Sequence, residues 1–210
     1  DKSFDDYNVD DSKSFVWSLR DISKPTLIIA NKVDIPVAME NFRRLREEYK
    51  DMMVIPASAE AELTLRRAEN KGLIKYVPGD ERFDIVKQEG LNEKQKWALD
   101  FIRKDVLDEY MRTGVQHAIN VAVFKLLMMN VVYPVADASK LTDKYGNILP
   151  DVYLLPSGST VEDLARQIHS ELAKNLLYAI DIRDGLRLPA DYHIKDRDLL
   201  SIVSAARKKV

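Results

Sequence analysis

Pro25-Thr-Leu-Ile-Ile-Ala-Asn-Lys-Val-Asp34 is an unbroken apolar run that ends in a cluster of polar side chains. Apolar residues on successive positions, rather than alternate ones, predict a strand covered on both faces, the environment of a parallel sheet. Ligands of such sheets gather at the carboxyl ends of the strands, where Asn31, Lys32 and Asp34 fall. A second apolar run, Met52 to Ala57, follows a segment in which Phe42, Leu45 and Tyr49 recur at helical steps. Strand, helix, strand predicts an α/β fold with parallel strands and helices, and Ser58-Ala59-Glu60 stands at the end of the second strand.

In its order and its place at a strand end the polar cluster resembles a GTPase base-selecting motif, which implies that it holds the edge of one purine. Guanine presents two adjacent donors, the ring N–H and the exocyclic amine, and one ionised carboxylate accepts both in a charge-assisted pair. Asp34 is the candidate acceptor. Asn31, one loop turn away, is placed to hydrogen-bond the base and to tie neighbouring loops together. The methylene stem of Lys32 is long enough to lie along the purine face, and Val33 is expected to point inward. The plainer alternative is a strand-to-helix turn in which Asn31 and Asp34 only cap backbone amides. At roughly one in twenty per position, three fixed residues recur by accident in about three chains in a hundred of this length, so the arrangement must supply the weight. The tetrapeptide at a strand end resembles the base-selecting motif of P-loop GTPases. That resemblance implies that the loop after the next strand, Ser58-Ala59, sets a backbone N–H against the guanine carbonyl oxygen. Glu60 departs from the pattern, since many GTPases carry a lysine there over the other base face; its carboxylate suits a helix N-terminus instead.

No two glycines stand five apart and none precedes a lysine, so a Gly-x-x-x-x-Gly-Lys phosphate loop has no place in the 210 residues. Asp143-Lys-Tyr-Gly146 matches a switch-type Asp-x-x-Gly pattern, but it follows the base motif and reads as a turn. The chain opens at Asp1 without Met, and the phosphate-binding half is expected upstream. No catalytic residue and no metal ligand is assigned within this sequence.

Composition narrows the classes further. With 46% hydrophobic and 31% charged residues the chain is long enough for one large or two small domains with real cores. A net charge of −2 exerts no global pull on nucleic acid or acidic membranes. Zero cysteines exclude a disulfide framework and thiolate metal ligation. The absence of a signal peptide or long apolar span leads to the expectation of a cytoplasmic protein with no membrane partner.

Residues 60 to 74 read as a helix stopped by Gly72, and Tyr76 to Asp80 as a turn. Asn92, with Gln95 three residues on, predicts a capped helix whose Trp97, Phe101, Ile102, Val106 and Tyr110 form one apolar face up to Thr113-Gly114. Val115 to Asn130 predicts a helix buried between layers or domains, with Met128 and Met129 as gap-filling core and His117 packed or capping rather than metal-bound. Val131 to Val135 reads as an edge strand because of Pro134. A turn at Asp143 to Asn147, a strand at Asp151 to Pro156, a helix capped by Thr160 and strands at Tyr178 to Ile182 and Leu199 to Val203 complete a β-grasp order.

The succession Asn31-Lys-Val-Asp34, Ser58-Ala-Glu60, Thr113-Gly-Val-Gln116, Val132-Tyr-Pro-Val135, Leu149-Pro-Asp151 and Gly158-Ser-Thr160 with Ile168-His169 resembles the Obg-like GTPases of the YchF type, above all their archaeal branch. The resemblance runs from near Ser18 to Arg207. It implies that residues 1–130 are the C-terminal part of a P-loop GTPase domain with additional helices, and residues 131–210 a TGS domain of ubiquitin-like β-grasp fold. It implies GTP as ligand through Asn31, Lys32, Asp34, Ser58, Ala59 and Glu60, with Mg²⁺ held upstream, in a GTP-hydrolysing protein associated with translation or the ribosome. Some relatives carry Asn-x-x-Glu and prefer adenine; this chain keeps Lys32 and Asp34, which implies guanine.

For the TGS segment the resemblance implies RNA, ribosome or regulatory contacts. Arg183, Arg187, Lys195 and Arg197 flank its turn and final strand, Arg207-Lys-Lys209 ends the chain, and Tyr178 and Tyr192 offer stacking surfaces. From Asp151 to Val210 nine acidic residues balance nine basic ones, so no basic excess draws a polyanion, and a solvated sheet face is the plainer reading. A non-catalytic RNA- or protein-binding module is the alternative function. A synthetase or stringent-response enzyme sharing the TGS fold is weaker still, because the guanine-type loop argues against both.

Overall fold

In the computed structural model, which describes residues 8–137, 139–143, 145–148 and 151–205, the run after Pro25 becomes β1 (Ile28–Asn31). It pairs in parallel with β2 (Val54–Ala57), Ile28 opposite Val54 and Asn31 opposite Ala57. The crossover is α2 (Pro36–Glu48), whose proline sits in the first turn, where a missing N–H is harmless. This register ends both strands level, so the loops beginning at Lys32 and Ser58 leave the sheet side by side. The expectation of a strand covered on both faces is corrected: Ile29 is 53% exposed, since β1 pairs with β2 alone among the described residues.

The chain forms two compact units, Asp1–Leu126 and Leu127–Val210. In the first, α1 (Val9–Ser23) starts at an Asn8 capping box and buries none of its residues. The main core of this unit joins α3 (Ala59–Asn70), the hairpin β3 (Ile74–Lys75) and β4 (Asp84–Ile85), and α4 (Glu93–Phe101), through Leu65, Ile74, Phe83, Leu91, Leu99 and Val106. The predicted cap of α4 is present: Asn92 Oδ1 accepts from Gln95 N at 2.9 Å, and Gln95 Oε1 accepts from Asn92 N at 3.0 Å.

Beyond Phe101 the helix widens into a π segment, Ile102–Leu107, before the short α5 (Asp108–Tyr110). The predicted single apolar face is corrected here. Leu99 and Ile102 face the core, and Trp97, two residues before Leu99, lies on the opposite side of an α-helix and is 69% exposed. The predicted buried helix over Val115 to Asn130 is also corrected. It comprises α6 (Val115–Asn120) and a second π segment, Val121–Leu126, and Ile119 and Phe124 are exposed. Ala118 and Val121 pack on Ile55 of β2. Met128 is exposed at φ +52°, a left-handed residue that turns the chain into the next strand, so it fills no core.

The second unit is a five-stranded sheet in the order β6-β5-β9-β7-β8. Its strands are β5 (Met129–Pro134), β6 (Tyr153–Pro156), β7 (Leu176–Asp181), β8 (Arg187–Leu188) and β9 (Asp198–Ser204). β5 runs parallel to β9 and the other pairs are antiparallel. β5 is therefore interior and not the predicted edge: Pro134 is its last residue, and the bond to Leu200 O comes from Val135 N at 2.9 Å, so no ladder donor is lost. Helix α7 (Val161–Ile168) begins at Thr160, whose hydroxyl accepts from Asp163 N while the Asp163 carboxylate accepts from Thr160 N. It lays Val161 and Leu164 over Val132, Ala179 and Leu200. A short α8 (Ser170–Lys174) follows, capped by His169, whose Nδ1 accepts from Glu171 N at 3.1 Å. The predicted turn forms as Asp143 Oδ1 accepts from Tyr145 N and Asn147 N. Leu149 and Arg207 to Lys209 lie outside the described residues.

Leu164 is fully buried in this unit. Leu164→Ala is expected to lower its stability by about 3 kcal/mol through transfer and cavity terms, read as a shifted urea midpoint in circular dichroism.

Candidate base-recognition site

The two loops are stitched by one side chain. Asn31 Oδ1 accepts from Lys32 N at 2.8 Å and from Ala59 N at 3.0 Å, the second bond crossing from the end of β1 to the start of α3. Val33 N donates to Ala57 O at 3.2 Å, and the Val33 side chain is buried as expected. The Tyr110 hydroxyl donates to Val33 O at 3.2 Å. Its phenol is pushed up by burial and then by Glu109, with the Asp34 carboxylate acting in the same direction. Between these anchors Lys32 adopts φ +70°, a left-handed conformation unusual for a side chain with a Cβ and held by the bonds around it.

Asp34 stands in the open part of this loop. Among the described residues no hydrogen bond or salt bridge engages its carboxylate. It lines a cavity of about 240 Å³ together with Ser58, Glu60, Ala61 and Thr64 of the neighbouring loop and α3. A slightly larger cavity of about 280 Å³, lined by Arg67, Lys71, Leu91 and Gln95 among others, is reached by neither the Asn31–Asp34 nor the Ser58–Glu60 segment.

The backbone donors of the second loop are mostly spoken for. Ser58 N donates to Thr113 O at 2.8 Å, Ala59 N to Asn31 Oδ1, and Ala61 N to Ser58 Oγ at 3.2 Å. The Glu60 N–H is the donor of this first turn with no protein acceptor among the described residues, and the Nδ2 of Asn31 is likewise unengaged. The loop is held from behind by Thr113-Gly114: a Cβ on Gly114 would stand 2.0 Å from Pro56 O, and its φ is +85°. Only glycine fits there.

Behind that segment lies a buried carboxylate. Glu62, 5% exposed, accepts from Thr113 Oγ1 at 2.6 Å, Tyr76 Oη at 2.8 Å and Arg66 Nε at 2.6 Å. Burial by itself raises a carboxyl, but the bonds from Thr113, Arg66 and Tyr76 outweigh it and hold Glu62 below its ordinary value. The Tyr76 phenol moves up, first through burial and then through its bond to Glu62. Sequence reasoning missed Glu62 as a site element; the readable signal was a Glu–Arg pair four residues apart on the face that carries Ala61 and Leu65. It also read Trp97 as core, although Leu99 two residues on placed it on the other face.

Of the four cations singled out in the second unit, Arg183 and Arg197 meet, and Arg187 and Lys195 make their contacts elsewhere. The Arg187 guanidinium lies 4.8 Å over the Tyr178 ring, Arg183 Nη2 donates to Arg197 O at 2.6 Å, and Arg197 Nε sits 3.5 Å from Asp196. Lys195 contributes its backbone N–H to Asp198 Oδ2 at 2.8 Å. Among the described residues no group of three or more His, Cys, Asp or Glu is arranged to hold a metal ion, and no helix is long and apolar enough to cross a membrane.

A parallel strand pair with an Asn-Lys-x-Asp loop beside a Ser-Ala loop, followed by a β-grasp unit, defines an α/β architecture joined to a ubiquitin-like fold. The family described as "Obg-like GTPase YGR210-like, G4 motif-containing domain" matches residues 29–137, and the TGS domain family matches residues 140–204. The chain belongs to the YGR210-like Obg-like GTPases and carries a TGS domain. It is 49% identical over 198 residues, 94% of its length and 50% of the relative's, to an uncharacterized GTP-binding protein of Methanocaldococcus jannaschii. To an uncharacterized GTP-binding protein of Schizosaccharomyces pombe it is 27% identical over 155 residues, 70% of this chain and 38% of that one. The crystal structure of a GTP binding protein from Pyrococcus horikoshii OT3 matches with a TM-score of 0.71 and 40% identity, covering 95% of this chain and 51% of that one. The chain thus spans about half the length of the archaeal relative, or less of the yeast one.

Because its native value is depressed, the Glu62 carboxylate stabilises the fold fully above its unfolded value, near 4.5, and this contribution is lost as the pH falls through the lower native one. Glu62→Gln is expected to cost about 2 kcal/mol at neutral pH and to flatten the acid limb of stability below pH 4.5, measured by urea unfolding across pH.

Proposed function

We propose that the first unit reads the guanine base of GTP for a GTP-hydrolysing protein. The observation that carries the reading is the Asp34 carboxylate, left among the described residues without a hydrogen-bond or salt-bridge partner, at a cavity that it lines with Ser58 and Glu60. Asp34 would accept from the ring N–H and the exocyclic amine together. The Nδ2 of Asn31 suits the imidazole nitrogen of the purine, and the Glu60 N–H suits its carbonyl oxygen. Lys32, with its stem beside the loop and its ammonium in water, would cover one base face. Ser58 and Ala59 act at one remove, since their backbone donors hold the loops in place.

GTP bound with Mg²⁺ supplies the β–γ phosphate bond to be hydrolysed. On this reading the residues that hold the phosphates and the metal lie outside these 210, whose seven glycines include no phosphate-loop pattern. A cytoplasmic, translation-linked role is the setting that the family resemblance implies.

Asp34→Asn in the intact polypeptide is expected to weaken GTP by about 10- to 100-fold, the worth of charge-assisted hydrogen bonds, with ATP almost unchanged. Equal losses for both nucleotides in a binding titration refute the assignment.

A second reading concerns the TGS unit, which we propose contacts RNA or the ribosome, as the resemblance implies. Arg187, Lys195 and the Arg183–Arg197 pair are its contact candidates. Filter binding to ribosomes or structured RNA is expected to weaken with rising salt; salt-insensitive or absent binding leaves the unit as a protein-contact or regulatory piece.

A further inference from the structure

The cavity that Asp34 lines has aromatic side chains in its wall. Trp97, Phe101 and Ile102 of the helix that begins at Glu93 line it together with Asp34, Ser58 and Glu60. We propose that Trp97 is a base-stacking residue, its indole covering the purine whose edge Asp34 holds; this rests on the base-site reading above.

Three features of the cavity support it. Trp97 lines the cavity and is 69% exposed, so its indole is accessible to a ligand. One side of its ring is fixed against Phe101, with centroids 5.5 Å apart and planes 17° from parallel. That contact favours one plane for the indole, and the same side chain lines the cavity that Asp34 shares. The lining also contains no lysine or arginine, and its charged members, Asp34 and Glu60, are both anionic. A phosphate is repelled from such walls, whereas a flat neutral ring with donors on its edge is matched by them. Glu60 is a poor lid for an electron-rich purine face, and the indole is the planar group that remains.

The division of labour is testable because stacking tolerates any base while edge hydrogen bonds do not. Within these 210 residues Trp17→Phe leaves Trp97 as the single indole, and any tryptophan elsewhere in the intact polypeptide is replaced by Phe in the same background. In that background, titration of the intact polypeptide with GDP or ADP is expected to quench the emission saturably. Trp97→Ala is expected to weaken both nucleotides about tenfold, the loss of one base stack, and Trp97→Phe to recover most of that loss. Trp97→Leu keeps apolar bulk without a π face and is expected to behave like the alanine variant, which separates stacking from packing if Trp97→Ala folds poorly. Asp34→Asn, in contrast, weakens GDP and spares ADP.

Nucleotide-insensitive emission, or affinities unchanged in both Trp97→Ala and Trp97→Leu, overturns the stack. If Asp34→Asn still abolishes guanine preference in the same assay, the base site stands without it. If that dependence is missing as well, both readings fall.

Discussion

The carboxylate of Glu62 is the interior charge around which the first unit is arranged. An ionised group that is 5% exposed is tolerable only when its lone pairs are taken up, and here a hydroxyl, a phenol and a guanidinium do so. Those three donors come from separate places: Thr113 before α6, Tyr76 after β3 and Arg66 on α3 itself. Satisfying one buried charge therefore fixes where three segments meet. From Thr113 the constraint passes through its carbonyl to Ser58 N, and from Ala59 N to the side chain of Asn31. The rim that carries Asp34 is thus set by a relay of hydrogen bonds that begins deep behind it.

This relay explains why the open loop tolerates a strained backbone. Lys32 sits at φ +70° between a side-chain acceptor on one side and the buried Val33 on the other. Its neighbours are held by hydrogen bonds internal to the protein, the condition under which edge hydrogen bonds yield selectivity instead of being consumed in ordering the loop.

Much of this was legible in the residues. The parallel pair, its crossover helix, the Asn92 and Thr160 caps and the Asp143 turn all follow from local patterns whose causes are short-range, and the YGR210-like and TGS matches bear out the resemblance to Obg-like GTPases with a TGS domain. What escaped depends on contacts between distant segments. The exposure of Ile29 depends on strand pairing, which a run of apolar letters does not report. The interior position of β5 depends on β9, more than sixty residues further on, donating its partnership across a proline at the strand end. The π segments change the number of residues per turn inside otherwise regular helices, so a face counted at helical steps drifts. In the candidate site, Asn31, Lys32 and Asp34 were nameable through their resemblance to a short local motif, while Glu62, Tyr76 and Tyr110 were not, because they act on the loops through space from behind.

The close passage of Gly114 over Pro56 carries an evolutionary corollary. A position whose absent side chain is replaced by a neighbour's carbonyl oxygen admits one residue and no gradual alternative. Lineages are free to drift across the solvated helices that surround it, yet every path that keeps the two loops side by side is funnelled through the same single letter.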